Sequence, residues 1–166
     1  MAAITVSNTD WSIVEAVRDA LAGAAVDSDP VFESVTIAAD EDEFRANRLC
    51  GSPVAIVRYL HTREHAGPED IRGACVSMEI VIATVVNSPG LDDSAVLAEA
   101  LRLKNAAMNA VEADPPAAAS AWGSANAWQD RIRWREPGID TSAGRPWALC
   151  RIGVEVGYVV ASGVSH

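Results

Sequence analysis

Trp147-Ala-Leu-Cys-Arg-Ile-Gly-Val-Glu-Val-Gly-Tyr-Val-Val160 alternates from end to end. Ala148, Cys150, Ile152, Val154, Val156, Tyr158 and Val160 share one face; Leu149, Arg151, Gly153, Glu155, Gly157 and Val159 share the other. A sustained period of two is the mark of a β-strand with one face on a core. Just upstream, residues 127–135 alternate too, with Trp128, Ile132 and Trp134 opposite Gln129, Arg131, Arg133 and Arg135. Turn residues at Pro137-Gly138 and Ala143-Gly144 join the two runs.

Working outward, residues 75–86 form the most apolar strand. Val76, Met78, Ile80 and Ile82 lie on one face, and Val81 and Val85 add bulk to the other. Such a strand is central in its sheet or covered by a neighbouring subunit. Residues 54–60 are another strand, with Val54, Ile56, Arg58 and Leu60 opposite Ala55, Val57 and Tyr59. The polar stretch 62–73, with Gly67-Pro68 inside it, reads as an exposed loop. Residues 31–38 are a weaker strand, and 44–49 a short helix or an irregular loop.

Two helices complete the inventory. The first is capped by Thr9 or Asp10 and runs to Gly23, with Ile13, Val14, Val17 and Leu21 as its apolar stripe. Asp27-Ser28-Asp29-Pro30 then makes a turn. The second starts at Asp92 or Asp93 and runs to Ala113. Its stripe reads Val96, Leu97, Ala100, Leu101, Lys104, Ala107, Met108 and Val111, with the Lys104 stem snorkelling. Asp114-Pro115-Pro116 stops it. A small-residue connection, 117–126, follows, and residues 161–166 read as a loose tail. The order α-β-β-β-α-β-β predicts an α+β fold: a mainly antiparallel sheet of four to five strands with two helices on one face. Residues 1–166 form a single domain, with no internal repeat.

Composition agrees with a packed domain. The chain has 166 residues, 49% hydrophobic and 22% charged. By area scaling a chain of this size buries roughly 69% of its unfolded surface, enough for one core without disulfides or metals. Cys50, Cys75 and Cys150 are too scattered for a disulfide framework or a zinc site, and each lies in or beside an apolar run, as core cysteines do. The N-terminus lacks the pattern of a signal peptide, and no apolar run reaches the roughly 18 residues of a membrane span. A cytoplasmic site of folding is expected.

His61-Thr62-Arg63-Glu64-His65 matches the H-x-x-E-H form of zinc peptidases. That chemistry needs both histidines one helical turn apart, and a strand before the motif with Gly67-Pro68 after it leaves no room for such a helix. Chance occurrence in a polar segment is the preferred reading. No phosphate-binding glycine loop and no nucleophile elbow occurs, and acid–base candidates at neutral pH are confined to His61, His65 and His166. No catalytic residue, metal or cofactor is expected.

The charge pattern is more informative. Net charge is −10, with Lys104 the one lysine. That balance disfavours non-specific nucleic-acid binding. Residues 1–43 hold ten acids against one arginine, ending in Asp40, Glu41, Asp42 and Glu43, a run without the glycine and spacing of a calcium loop. Residues 128–151 hold five arginines against three acids. Trp122, Trp128, Trp134 and Trp147 are interleaved there with Arg131, Arg133, Arg135, Arg145 and Arg151. Tryptophan and arginine dominate protein hot spots and also stack on single-stranded bases; net charge decides for a protein partner over a nucleic acid, with ordinary sheet packing the remaining alternative. The candidate interface is therefore Asp40, Glu41, Asp42, Glu43, Trp122, Arg131, Arg133, Arg135, Arg145 and Trp147. Opposite patches on one chain suit head-to-tail contacts, which close into rings when the rotation permits.

The order of elements over residues 9–160 is similar to one known family. An amphipathic helix precedes Pro53-Val-Ala-Ile-Val-Arg-Tyr-Leu60, then Ser77-Met-Glu-Ile-Val-Ile-Ala-Thr-Val-Val86 and an alanine-rich helix. Asp130-Arg-Ile-Arg-Trp-Arg-Glu-Pro-Gly138 and Cys150-Arg-Ile-Gly-Val-Glu-Val-Gly-Tyr-Val-Val160 close it. This resembles the tail terminator, or tail completion, proteins of long-tailed bacteriophages. The stretches 44–49 and 117–126 depart from the pattern. The resemblance implies a virion protein of the tail and neck, assembled in the host cytoplasm. It implies a ring, typically hexameric, whose partners are itself, the tail tube protein and the head-side connector or neck protein. It implies no membrane, and DNA only as cargo passing through the lumen, which an acidic ring would repel. Another neck or head-closure connector is the nearest alternative; a small ligand-binding domain or enzyme is the alternative of a different class.

Overall fold

The computed structural model describes residues 5–6, 8–38, 53–66, 72–85, 93–116, 132–141, 147–160 and 164–165. Among these residues ten strands and two helices follow in the order β1 (Thr5–Val6), α1 (Thr9–Ala22), β2 (Ala25–Val26), β3 (Asp29–Pro30), β4 (Ser34–Ala38), β5 (Val54–Ala66), β6 (Arg72–Val85), α2 (Asp93–Ala113), β7 (Ile132–Trp134), β8 (Gly138–Thr141), β9 (Trp147–Val160) and β10 (Val164–Ser165). The main sheet runs β4-β5-β6-β9-β7, and β8 joins β9 on the same edge as β7. β4 and β5 are parallel and every other pair in this sheet is antiparallel. The fold is α+β, with both helices on one face, as the alternation and the two apolar stripes predict.

β6 and β9 form the spine, in register from Arg72 opposite Val160 to Val85 opposite Trp147. Ala74, Val76, Met78, Ile80 and Ile82 of β6 meet Tyr158, Val156, Val154, Ile152 and Cys150 of β9 on the helix face. Ile13, Val14, Val17 and Leu21 of α1 and Leu103, Ala107 and Val111 of α2 complete that core, each fully buried. At roughly 25 cal/mol per Å² of apolar surface, this one contiguous cluster is the main stabilising term. A smaller cluster of Ala38, Ile56 and Val81, with Leu149 against it, lies on the opposite face. Val81 and Ile56 are buried there although both point away from α1 and α2.

Several expectations need correction. Residues 62–66 and 72–73 are strand, not loop: β5 and β6 pair through to Ala66 opposite Arg72. Their side chains are polar, but the backbone of β6 supplies the hydrogen bonds, so no apolar alternation is needed. The register shifts between Tyr59 and His61, leaving Leu60 as the extra residue of a β-bulge. Beyond it the faces exchange, so Thr62 and Glu64 turn to the helix side. The strand expected over 31–38 starts at Ser34; Val31 donates its N–H to the Ala24 carbonyl at 2.8 Å, and Val31 and Phe32 are buried.

On α2, Val96, Ala100, Leu103, Ala107 and Val111 are buried, while Leu97 and Leu101 are exposed. The inward line is displaced by part of a turn from the expected stripe, and Leu103 takes a place assigned to its neighbours. Pro137-Gly138 leads into strand β8 rather than ending at a turn. Within the stretch read as a loose tail, Val164 and Ser165 pair in parallel with Thr5 and Val6. Of the strand expected over 127–135, Ile132–Trp134 is observed, and 127–131 lies outside the described residues. So do 44–49 and 117–126.

α1 has Asn8 as its N-cap, which puts Asp10 inside the first turn rather than at the cap. At its other end Asp27 and Ser28, both with positive φ (52° and 74°), form the two-residue turn between β2 and β3. Positive φ at both central positions is the type I′ geometry that matches the twist of a hairpin.

Candidate functional site

Alternation decides which arginines meet. On β5, β6, β7 and β9 the residues facing away from the helices include Arg58, Arg63, Glu79, Arg133, Arg151 and Glu155. Arg135 joins them just past β7, where its N–H donates to the Gly153 carbonyl at 2.8 Å. Among the described residues this helix-free face therefore gathers five arginines around two glutamates.

The two carboxylates hold the array together. Glu79 accepts from Arg58 on β5 and from Arg151 on β9, each at 3.2 Å. Glu155 accepts from Arg135, and Ser77 Oγ donates to it at 3.4 Å. The Arg135 hydrogen bond holds the Glu155 carboxyl below the ordinary carboxylate range, with the charge of Arg63 adding to the effect. Arg135 lies across Gly153, where an added Cβ would fall 2.9 Å from the Arg135 Cβ. Glycine at 153 is what lets that arginine approach the sheet. Arg135 remains 57% exposed and Arg151 42%, so the guanidinium groups are aligned by the sheet yet reachable from outside. Planar, weakly hydrated forks in fixed rows suit carboxylates of a partner.

The expected interface residues are only partly brought together. Arg133 and Arg135 stand on this face beside Glu155. Trp147 opens β9 opposite Val85, at the far end of the same strand. Asp40, Glu41, Asp42, Glu43, Trp122, Arg131 and Arg145 lie outside the described residues. Arg58, Arg63, Glu79 and Glu155 were missed, although the parity of Arg58 with Ile56 and of Glu155 with Arg151 was a usable signal. Trp134 faces the helix side, where its Nε1 donates to Glu112 at 2.7 Å.

The other side of the molecule is acidic. Residues 8–33 and 93–114 contain ten acids against Arg18, Arg102 and Lys104. Asp19, Asp27, Asp29 and Asp114 are all exposed around the C-terminal ends of the two helices. A cleft of about 410 Å³ lies there, floored by Ala20, Ala24, Ala106 and Ala110 and rimmed by Asp19 and Asp114. Neither helix has a basic residue in its last turn, so the negative ends of both dipoles add to the carboxylates.

His61 and Arg63 sit on a strand, with Arg63 Nε donating to His61 Nε2 at 3.0 Å. Positions 61 and 65 on a strand are roughly 13 Å apart, so they do not converge on one ion as a helical pair does. Among the described residues no group of three His, Cys, Asp or Glu side chains could hold a metal. Burial pushes the Cys75 thiol up and the Cys150 thiol up to about 11, which keeps both protonated at neutral pH. Among those residues, too, no helix is long and apolar enough to cross a membrane. No protein-family model matches the chain, and no curated protein matches it.

Proposed function

We propose that this chain is a structural virion protein, a tail terminator. It forms a ring that caps the tail tube, stops its polymerisation and joins it to the head-side connector. The observation that carries the reading is the separation of charge across the slab: five arginines on the helix-free face of a chain whose net charge is −10. Surfaces of opposite sign on one chain favour head-to-tail contacts between copies, and such contacts close into a ring when the rotation between neighbours permits. The resemblance of the element order to tail terminators supports a hexameric ring between tube and connector, with DNA passing through its lumen.

Immunogold labelling of long-tailed particles whose genome encodes this chain tests the placement. Label is expected at the junction of tail and capsid. Label along the tube, on the capsid shell or nowhere on the particle contradicts the proposal.

A further inference from the structure

We infer that the arginine-bearing part of the sheet face opposite α1 and α2 is the docking surface for a second copy of this chain, and that the part it receives is the acidic end where α1 and α2 terminate. This rests on the assembly reading above and adds to it which two surfaces meet. Arg58, Arg63, Arg133, Arg135 and Arg151 outnumber the acids placed on the sheet face among the described residues, Glu79, Glu155 and, by its register opposite Leu149, Asp140. The complementary surface carries Asp27, Asp29 and Asp114, Asp19 with Arg18 paired to it at 2.7 Å, two helix C-termini without a basic residue in the last turn, and an alanine-floored cleft of about 410 Å³. A guanidinium entering that cleft meets carboxylates at the rim, outward-pointing carbonyl dipoles, and methyl groups against its planar face.

The occupant follows from placement. The sheet face lies on the side away from the helices, and the acidic end lies on the helix layer. One molecule cannot bring its own two surfaces together, but two molecules can. The contact is heterologous: each copy gives a sheet face to one neighbour and an acidic end to the other. A nucleic acid is the rival occupant of an arginine-rich face, but its phosphates would be repelled by the remaining acidic surface.

Light scattering on the full chain at low and high salt tests the contact, using two variants that remove charge at exposed positions. Arg63→Gln with Arg133→Gln neutralises part of the sheet face; Asp19→Asn with Asp114→Asn neutralises part of the acidic end. Wild type is expected to self-associate at 50 mM salt and to weaken at least tenfold at 500 mM. Each variant is expected to associate at least tenfold more weakly than wild type, with unchanged circular dichroism. Mixed, the two variants are expected to form a 1:1 complex, because each retains the surface the other lacks. Three results overturn the inference: a wild type that stays monomeric at low salt, variants that keep the wild-type mass, or a mixture that stays monomeric. A sheet-face variant that loses affinity for single-stranded DNA while keeping its mass would assign the face to nucleic acid instead. A tube-capping assay on the same samples judges the tail-terminator reading separately, since capping with unaltered assembly in both variants removes only the choice of surfaces.

Discussion

Tyr158 Oη donates to Asp10 Oδ1 at 2.6 Å, joining the end of β9 to the first turn of α1 across 148 positions of sequence. Thr62 Oγ1 donates to the other carboxylate oxygen, also at 2.6 Å, and lies 3.0 Å from the Tyr59 hydroxyl. One carboxylate thus fixes the entry of the first helix over β5 and β9. Charge-assisted hydrogen bonds of this kind contribute more than neutral ones.

Tyr158→Phe is expected to destabilise the fold by about 1–3 kcal/mol, because it leaves part of the Asp10 carboxylate without its donor. The pH dependence has a definite sign. Burial first, and the Asp10 carboxylate second, hold the Tyr158 hydroxyl above its ordinary value of 10.0. The folded state keeps this proton while the unfolded chain loses it, so the stabilisation is complete below pH 10 and declines as pH rises beyond it. Urea midpoints at pH 8 and pH 10.5 should differ for wild type and differ less for Tyr158→Phe.

Glu155 behaves in the opposite sense. Its carboxyl is held below 4.5 chiefly by Arg135, so the stabilisation it gives is present above that value and is lost as pH falls. Arg135 is more than half exposed, so the effect is expected to be under about 1 kcal/mol. Glu155→Gln should flatten the acid limb of a stability profile between pH 5 and pH 3.

Gly153→Ala places a methyl group 2.9 Å from the Arg135 Cβ. Part of β9 or the Arg135 backbone has to move, with an expected cost of about 1–3 kcal/mol. A lowered thermal midpoint, together with a smaller pH effect from Glu155, would show that the glycine serves the arginine.

Leu103 and Leu101 separate the two readings of α2. Leu103 is fully buried and Leu101 is 39% exposed. Leu103→Ala is expected to cost about 2–5 kcal/mol. Leu101→Ala, measured in the monomeric state, should stay within about 0.5 kcal/mol. Denaturant titration of both variants checks the assignment directly.

That pair also shows what the sequence could and could not express. β9 was legible because Arg151, Gly153, Glu155 and Gly157 alternate with Cys150, Ile152, Val154, Val156 and Tyr158 along its centre. α2 was legible as a helix, but its apolar stripe is wider than the surface that covers it, and composition alone does not say which edge points inward. Residues 61–66 were hidden for another reason. Their pairing is carried by backbone groups, and the bulge at Leu60 breaks the parity a reader would follow. At the candidate site, Arg133 and Arg135 were visible through alternation against Ile132 and Trp134. Their grouping with Arg58 and Arg63 depends on the strand order β5-β6-β9-β7, which no local pattern encodes.

Whether this chain caps tail tubes is decided by polymerising a tail tube protein from the same genome in its presence. Electron microscopy of negatively stained tubes should show them stopped at limited lengths, with a ring of extra density at one end, as the chain is added in increasing amounts. Tubes of unchanged length with bare ends at every concentration would contradict the proposal.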